Sequence, residues 1–522
     1  MHTLEDLKLE SPFTAELPGD PNASNTLRQV SGALYSFVDP TPTGTRPYLV
    51  AGSPAVAQLL GLDPRELRRP EFADVLSGNA LLPNGAQPFA QTYGGHQFGS
   101  WAGQLGDGRA INLGAARGPD GQLWELQLKG AGMTPYSRRA DGRAVMRSSL
   151  REFVASEAMH HLGVPTTRAL ALVGTGAEVV RDMFYNGNVR MEPGAVVCRV
   201  ARSFVRFGSF QLPASRGGGD MPLVRLLADH VIRHHFPHLL GREDCYAAWL
   251  GEVAQRTGRL VAAWQAVGFC HGVLNTDNMS ILGDTIDYGP YGLLERFDPS
   301  FTPNASDLGG LRYTFRNQPE ICNWNVAQLA NALLAAELMP LDAAEEAVGR
   351  YSEALTEAYQ ARMAAKLGLR AYDKGTAVSV LTAMHADGAD FTNTFRALAA
   401  VDAEADAPGS IPPALQQALG PLEAEQAAEW GATLDAYRLR LQDEGMPTAE
   451  RRALQDSANP AYIPRNALMQ DAIAAAEAGS FDELHELMAV LERPYTLQPG
   501  AERFTHTERK VRMGVELLSC SS

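Results

Sequence analysis

The sequence predicts an α+β protein of two lobes, with strands concentrated in the N-terminal part and helices in the rest. The 522 residues exceed the size at which one hydrophobic core usually stops growing, so two or three lobes are expected. A β-hairpin pattern occupies residues 110–129, and helical patterns dominate beyond Trp324. We therefore expect an N-terminal extension with a β-rich lobe at 1–200, a helical lobe at 201–370, and a helical C-terminal extension at 371–522.

Composition restricts the class of protein. With 45% hydrophobic and 20% charged residues, the chain is typical of a globular protein in water. Its 45 basic and 60 acidic residues give a net charge of -15, which disfavours nucleic acid and anionic membranes as main partners. The sequence contains neither a signal-peptide pattern at its start nor an apolar run of the ~18 residues that span a membrane. We expect a monomeric, cytoplasmic protein.

The hairpin is the first candidate for a nucleotide site. Its first strand follows Gly106-Asp107-Gly108-Arg109, a Gly118-Pro119-Asp120-Gly121 turn reverses the chain, and the second strand ends at Lys129. Glycines let backbone N–H groups approach phosphate oxygens, and a lysine at a strand end supplies positive charge. The pattern also fits an ordinary hairpin with a solvated lysine.

The flanking segments contain further charged candidates. Residues 1 to about 25 are expected to form an extended arm, and 79–106, rich in Gly, Pro, Gln and Asn, a long ordered loop. A helix from about 144 to 162 carries Glu152, which either pairs with the strand lysine or is an exposed acid. Arg199 and Arg206 are seven residues apart, so on a helix they would share a face, as a phosphate clamp or as surface cations.

The segment 271–289, HGVLNTDNMSILGDTIDYG, predicts a metal and phosphate site. Asn278 and Asp287 are the amide and carboxylate ligands that Mg²⁺ accepts. Two short strands, reversed at Gly283-Asp284, would form a hairpin that brings them together. Protein kinases use the same parts, but their catalytic base lies five residues before the Asn, where this chain has Val273. Only Asp277 offers a carboxylate in that part of the loop, so the protein either binds nucleotide without catalysis or uses rearranged chemistry.

Histidines and cysteines offer weaker signals. The helix predicted from 222 to 236 carries His230, His234 and His235, but no third ligand follows at a known metal-site spacing, so they are interpreted as structural. Five cysteines are too few and too scattered for a disulfide framework or a zinc site.

Several motifs together resemble a known family. GDGR at 106–109, WELQLKGAG at 124–132, RRADGR at 138–143, the segment of Arg199 and Arg206, the segment 271–289 and NQP at 317–319 resemble the selenoprotein O family, also called the YdiU family. The resemblance covers nearly the whole chain. It implies a protein-kinase-like fold, ATP bound in a flipped orientation, Mg²⁺ or Mn²⁺ as cofactor, and transfer of AMP to Ser, Thr or Tyr hydroxyls of protein substrates.

The same resemblance implies roles for individual residues. Lys129 and Glu152 would form the strand-lysine and helix-glutamate pair, Asn278 and Asp287 would bind the metal, and Asp277 would accept the proton. The implied nucleotide contacts are Gly106, Gly108, Arg109, Lys129, Asp141, Gly142, Arg199, Arg206 and Asp287. A conventional kinase that transfers the γ-phosphate and a non-catalytic ATP-binding scaffold are the alternatives.

The C-terminal Cys520 raises a separate hypothesis. It lies third from the end, where animal members of the family carry selenocysteine. A cysteine near a chain end either pairs reversibly with another thiol, for which Cys322 is the candidate, or is an unpaired tail thiol.

Overall fold

The protein is described here from a computed structural model, which gives residues 1–182, 187–405, 407–505 and 518. Strands lie almost entirely in the N-terminal part of the chain. They are β1 (Leu9–Glu10), β2 (Tyr35–Phe37), β3 (Tyr48–Gly52), β4 (Phe89–Gln91), β5 (Gly94–Gln97), β6 (Ser100–Gln104), β7 (Ala110–Arg117), β8 (Leu123–Lys129), β9 (Ala144–Val145), β10 (Arg168–Arg181), β11 (Arg190–Ala201), β12 (Phe269–Cys270) and β13 (Gly292–Leu293).

Helices occupy most of the remainder. They are α1 (Pro12–Glu16), α2 (Pro54–Leu59), α3 (Pro70–Ser77), α4 (Met146–His161), α5 (Phe207–Arg216), α6 (Pro222–His235), α7 (Cys245–Val267), α8 (Gln318–Ala335), α9 (Leu341–Lys366), α10 (Lys374–Asp387), α11 (Phe391–Ala397), α12 (Pro413–Leu419), α13 (Ala424–Glu444), α14 (Thr448–Ala458), α15 (Asn466–Glu477) and α16 (Asp482–Leu491). None of the helices in the described part of the chain is long and apolar enough to cross a bilayer. The fold is thus mixed α and β, as predicted.

A large antiparallel sheet organises the N-terminal part. Its order is β2-β4-β7-β8-β11-β10-β3, with β1 added beside β7 and β9 beside β11. The predicted hairpin of β7 and β8 is confirmed, and its register places Lys129 opposite Ala110 on one side and Val197 on the other. Lys129 therefore lies in the middle of the sheet rather than at a solvated edge.

Helices cover both faces of this sheet. Side chains alternate between the two faces along each strand, so apolar side chains on both faces are available for packing. One face packs against α2 and α3 through Val56, Leu60, Phe72, Leu76, Leu126, Leu128 and Val196. The other face packs against α4 and, from the far end of the chain, α15 and α16, through Leu150, Val154, Leu172, Val197, Met469, Ile473 and Leu487. The C-terminal helices thus return to support the helix that carries Glu152.

The helical part surrounds the segment 271–289. Helices α5 to α9 share a core that includes Trp249 and Trp264. The long helix α7 ends at Gly268, in a left-handed conformation, and leads directly into β12, which pairs with β13. The residues between these two short strands form the predicted site loop.

Three local predictions were wrong. Residues 79–106 are not one loop, because they contain β4 in the large sheet and the hairpin of β5 and β6. The turn of that hairpin uses Phe98 and Gly99 at positive φ, a pattern with little sequence signal. Residues 1–25 are not an extended arm, since they form β1 and α1 and bury Phe13 and Leu17.

The predicted hairpin within 279–286 is also absent. The residues around Met279 pair with the segment before α5 instead, through Phe207 N to Met279 O at 3.0 Å and Ile281 N to Val205 O at 3.1 Å. Thr285 N donates to Pro165 O at 2.9 Å. Partners distant in sequence thus replaced the local strand pairing that the turn residues suggested.

Candidate active site

The centre of the site is built on one face of the sheet. Gln127 and Lys129 are two residues apart on β8 and share a face, and the register places Arg199 of β11 opposite Gln127. The Nη1 of Arg199 donates to Gln127 Oε1 at 3.0 Å. Glu152 projects from α4 onto the same face, where its two carboxylate oxygens bind the Lys129 ammonium and the Arg199 guanidinium. The predicted pair of Lys129 and Glu152 is therefore present, with Arg199 as a third member.

Asp287 joins this group from the loop. Its Oδ1 lies 2.6 Å from Arg199 Nη2, and its Oδ2 lies 2.5 Å from Arg206 Nη1. Asp287 has a φ of 60°, a left-handed conformation that L residues seldom adopt outside functional sites and tight turns. We call Lys129, Glu152, Arg199, Arg206 and Asp287 the Asp287 cluster.

The two arginines reach Asp287 by a route that the sequence did not predict. They do not share a helix face, because Arg199 lies in β11 and Arg206 is the residue before α5. Arg206 Nη1 also donates to the backbone carbonyl of Asp277 at 2.8 Å, and the guanidinium lies over the Tyr93 ring, 4.7 Å from its centroid. The side chain of Arg206 thus contacts two separate residues of the loop, Asp277 and Asp287.

The Asp287 cluster is positive in balance, with three cations and two carboxylates. Burial alone would raise the pKa of Asp287, but Arg206, Arg199 and Lys129 outweigh it and hold that pKa well below its usual value. Burial opposes ionisation of Glu152 too, and Arg199 and Lys129 lower its pKa. Burial lowers the pKa of Lys129. A buried group of cations in excess over carboxylates, two of them permanently charged guanidinium groups, is suited to a polyanion.

Asp277 lies in a 3-10 turn, Thr276–Asn278, beside the cluster. Burial raises the pKa of its carboxyl group to about 6. Its Oδ2 accepts a hydrogen bond from Gln97 Nε2 at 3.3 Å, whereas its Oδ1 is buried with no hydrogen-bond partner among the described residues. A carboxylate with one unused buried oxygen can accept a proton from a substrate group placed there.

The neighbouring Asn278 fits a metal-binding role. Its Nδ2 donates to the carbonyl of Val273 at 2.9 Å, which leaves its amide oxygen as the ligand atom. His271 stabilises the loop, since its Nε2 donates to Ile286 O at 2.9 Å. With the carboxylate of Asp287, the donor set is all oxygen, as Mg²⁺ and Mn²⁺ prefer.

The glycine-rich segment before β7 is closely packed. A Cβ at Gly106, which has a φ of 100°, would lie 2.7 Å from the Tyr136 ring, and one at Gly108 would lie 2.9 Å from Tyr136 O. Asp107 between them is buried and accepts from Gln91 N at 3.0 Å. Its Oδ1 lies 3.8 Å from Arg206 Nη2, so this segment borders the Asp287 cluster.

The remaining predicted nucleotide contacts lie beside the end of β8. Arg109 is half-buried, and burial lowers its pKa while Asp287 and Glu152 act on it in the opposite direction. Asp141 is exposed and makes two 2.8 Å contacts with the guanidinium of Arg181. Gly142 has a φ of 69°, and a Cβ there would lie 2.2 Å from the backbone of Gly132, so only glycine fits.

Sequence reasoning missed some neighbours of the cluster. Gln127 could have been found, because the period of two places it on the face of Lys129. Gln97 and Tyr93 could not, since they come from the stretch interpreted as a loop.

The structure describes one of the two cysteines in this hypothesis. Cys322 is buried in α8, and burial raises the pKa of its thiol. Cys520 lies outside the described residues. The pairing of these two thiols stays a prediction.

Comparison with known proteins identifies the family. The family described as "Protein adenylyltransferase SelO" matches residues 22–492. A protein named "Protein nucleotidyltransferase YdiU" from Aromatoleum aromaticum is 53% identical over 539 residues, covering 99% of this chain and 100% of the relative. Proteins of the same name from Azoarcus sp. and Xanthomonas axonopodis pv. citri are 51% and 49% identical, over 99% of this chain and 100% and 99% of their own lengths. The chain therefore belongs to the protein adenylyltransferase SelO family.

Proposed function

We propose that this protein transfers AMP from ATP to Ser, Thr or Tyr hydroxyls of other proteins and releases pyrophosphate. The observation that carries the proposal is the Asp287 cluster, whose buried cations lie beside a loop that has Val273 where a kinase has its base. Membership in the SelO family supports the same chemistry. The transferred group is thus the α-phosphoryl with its nucleoside, rather than the γ-phosphate.

The cations account for the orientation that we propose for ATP. Lys129, Arg199 and Arg206 are each less than 7% exposed, so they lie deep in the site. Guanidinium groups offer paired donors and a permanent charge to phosphate oxygens. If they hold the β- and γ-phosphates, the α-phosphorus lies nearer the loop, and pyrophosphate is the group that the enzyme stabilises as it leaves.

Asp277 is the proposed proton acceptor. The substrate hydroxyl oxygen attacks the α-phosphorus, the bond from that phosphorus to the bridging oxygen of the β-phosphate breaks, and the hydroxyl proton passes to Asp277. Its unpartnered Oδ1 is the atom available for this proton. Because transfer at phosphorus depends more on positioning and electrostatics than on a strong base, a carboxylate of pKa about 6 is sufficient.

Asn278 and Asp287 are the proposed ligands of Mg²⁺ or Mn²⁺. When bound, the ion would neutralise charge on the phosphates of ATP. Both carboxylate oxygens of Asp287 are engaged by arginines, so binding of the ion and of the phosphates is expected to be coupled, with the phosphates taking over the guanidinium donors. Gly106, Gly108, Arg109, Asp141 and Gly142 are the further nucleotide contacts in this proposal.

The proposal includes a protein-kinase-like arrangement of two lobes. We place the N-terminal extension and β-rich lobe at 1–200, the helical lobe with the site loop at 201–370, and the C-terminal extension at 371–522. The change from strands to helices between β11 and α5 supports the first boundary. A monomeric state and a cytoplasmic location stay predictions.

Labelled ATP tests the proposal directly. Full-length protein is incubated with a lysate and Mg²⁺ or Mn²⁺, with ATP labelled either at the α-phosphate or at the γ-phosphate. We expect protein-bound label from the α-position only, and mass spectrometry should identify added AMP on hydroxyl side chains. Label from the γ-position would instead show a conventional kinase. ATP binding with no label from either position would show a non-catalytic scaffold.

A further inference from the structure

A second cluster of metal-ligating side chains lies away from the Asp287 cluster. His230 and His234 are four residues apart on α6 and therefore lie on the same face of the helix. Glu16, at the end of α1, lies against them, with its Oε2 2.9 Å from His230 Nδ1 and its Oε1 2.8 Å from His234 Nε2. We call these three residues the Glu16 cluster. Among the described residues, this is the group of three in which each residue offers a ligand atom within 4.8 Å of the others.

Its geometry is close to that of a zinc site. Two histidines one helical turn apart plus a distant carboxylate form the three-ligand set of zinc sites that keep one position open. Ligand atoms around a tetrahedral ion with bonds of about 2.0–2.1 Å lie about 3.3 Å apart. The nitrogen to oxygen distances of 2.8 and 2.9 Å would thus have to lengthen by about half an ångström. The side chains of Glu16 and His234 are 30% and 25% exposed, so they have room to make this adjustment.

The composition of the cluster also suits a cation. The carboxylate of Glu16 supplies an oxygen ligand and negative charge, and the two imidazoles supply ring nitrogens. Arg233 also contacts Glu16, at 2.7 Å, but its side chain is 55% exposed and can turn into solvent.

A cavity adjoins the cluster and supplies an independent observation. It has a volume of about 530 Å³ and is lined by all three residues of the Glu16 cluster, together with His235, Arg202 and Glu125. The Nδ1 of His235 is buried and has no hydrogen-bond partner in the part of the chain that the structure describes. The cavity is thus polar and large enough to hold the water or ligand that an open coordination position needs.

We propose that Glu16, His230 and His234 bind one divalent transition-metal ion of the zinc type, with an open position toward this cavity. Glu16 belongs to the segment whose β1 pairs with β7 of the sheet, whereas α6 belongs to the helical core. The ion therefore links the N-terminal segment to the helical part of the protein. This site is separate from the proposed ligands Asn278 and Asp287.

Metal binding to the full-length protein tests the proposal. Metal-free protein is dialysed against Zn²⁺ in the presence of excess Mg²⁺, which competes for the all-oxygen donors, and bound zinc is counted. We expect one equivalent that persists in Asp287→Asn and is lost in His230→Ala/His234→Ala. Co²⁺ is the second probe, since nitrogen ligands at low coordination number give a visible absorption band that the double variant should lack.

Single variants and a matched control separate this site from surface binding. Loss of an outer-shell partner alone costs a metal site about 10–100-fold in affinity, so His234→Ala and Glu16→Gln should each weaken Zn²⁺ binding by at least about 100-fold. His238→Ala is the control, because His238 contacts the carboxylate of Glu252 at 2.5 Å but belongs to no group of three ligands among the described residues. It should bind zinc like wild type.

The outcome is decided by His234, whose side chain is 25% exposed and whose removal should leave folding intact. If circular dichroism shows a folded His234→Ala protein that still binds zinc with wild-type affinity, the proposal is wrong. It is equally wrong if the wild-type protein binds no zinc under these conditions. AMP transfer by His234→Ala should equal that of wild type, so this test is independent of the proposed activity.

Discussion

The Asp287 cluster and the Glu16 cluster use similar geometry for different chemistry. In each, a carboxylate binds two basic side chains from distant parts of the chain. Asp287 is bound by guanidinium groups, which are always charged and cannot act as metal ligands. Glu16 is bound by imidazoles, whose ring nitrogens can serve as metal ligands once a metal ion replaces the proton. Permanent cations suit phosphates, and imidazoles suit a metal ion. The basic partners of each carboxylate therefore determine which kind of ligand the cluster can bind.

Burial is the second difference. The carboxylates Asp287 and Glu16 are similarly exposed, at 26% and 30%, so the difference lies in the other members of the two clusters. Arg199, Arg206 and Glu152 are almost completely buried, whereas His234 is 25% exposed. Removing one partner of a buried ionic network leaves an uncompensated charge in a low-dielectric interior, which is far more costly than breaking an exposed pair. The comparison therefore predicts large effects for variants of the first cluster and small effects for matched variants of the second.

The largest effect is expected for Asp287→Asn. The change removes the proposed charged metal ligand and the partner of both arginines, so AMP transfer should fall by about 1000-fold or more. Initial rates with ATP labelled at the α-phosphate measure it. Asp284→Asn, three residues earlier and outside the cluster, is the control and should stay within about twofold of wild type. Comparable losses in both variants would contradict the role given to Asp287.

A stability comparison comes next. Glu152→Gln leaves Lys129 and Arg199 without their shared carboxylate in the interior, so the free energy of unfolding should fall by about 3 kcal/mol or more. Glu16→Gln alters a partly exposed group and should cost less than about 1 kcal/mol without metal. Urea unfolding of both variants measures the difference. Equal losses would show that burial does not distinguish the two clusters.

The pH dependence of AMP transfer tests Asp277. A proton acceptor must be ionised, and burial raises the pKa of Asp277 to about 6. We therefore expect kcat/KM to be maximal above about pH 6 and to fall as the pH drops below about 6. Asp277→Asn should remove this acidic limb and lower the rate at pH 7.5 by about 10–100-fold. Rates measured from pH 5 to 8 decide it. An unchanged limb in Asp277→Asn would assign the titration to another group.

The smallest effect concerns the identity of a cation. Arg206→Lys keeps the charge but cannot reproduce contacts with both Asp287 and the carbonyl of Asp277, and a lost charge-assisted hydrogen bond corresponds to about tenfold in kcat/KM. Arg233→Lys, in the Glu16 cluster's surroundings, should change the rate by less than about twofold. Steady-state kinetics with both variants measure this. A wild-type rate in Arg206→Lys would show that charge alone is sufficient.

Local patterns predicted much of the fold. The hairpin of β7 and β8, α4 and α6 are regular elements with strong turn signals or periodicity, and the structure contains them as expected. Predictions failed where distant partners decide the conformation. The residues 279–286 pair with Val205 and Pro165 rather than with each other, and the glycine-rich residues 94–104 become a hairpin that carries Gln97 to Asp277.

The sequence by itself determined the chemistry that is available. It supplied Lys129, Asn278 and Asp287 at spacings that indicate phosphate and metal binding, and it placed Val273 where a base would otherwise lie. Only the tertiary structure decided which groups meet. Arg199 and Arg206 converge on Asp287 from a strand and a helix start, and Glu16 joins His230 across 214 residues of chain. Sequence periodicity describes neighbours within one element, whereas the packing of sheet, loop and helices sets contacts between elements.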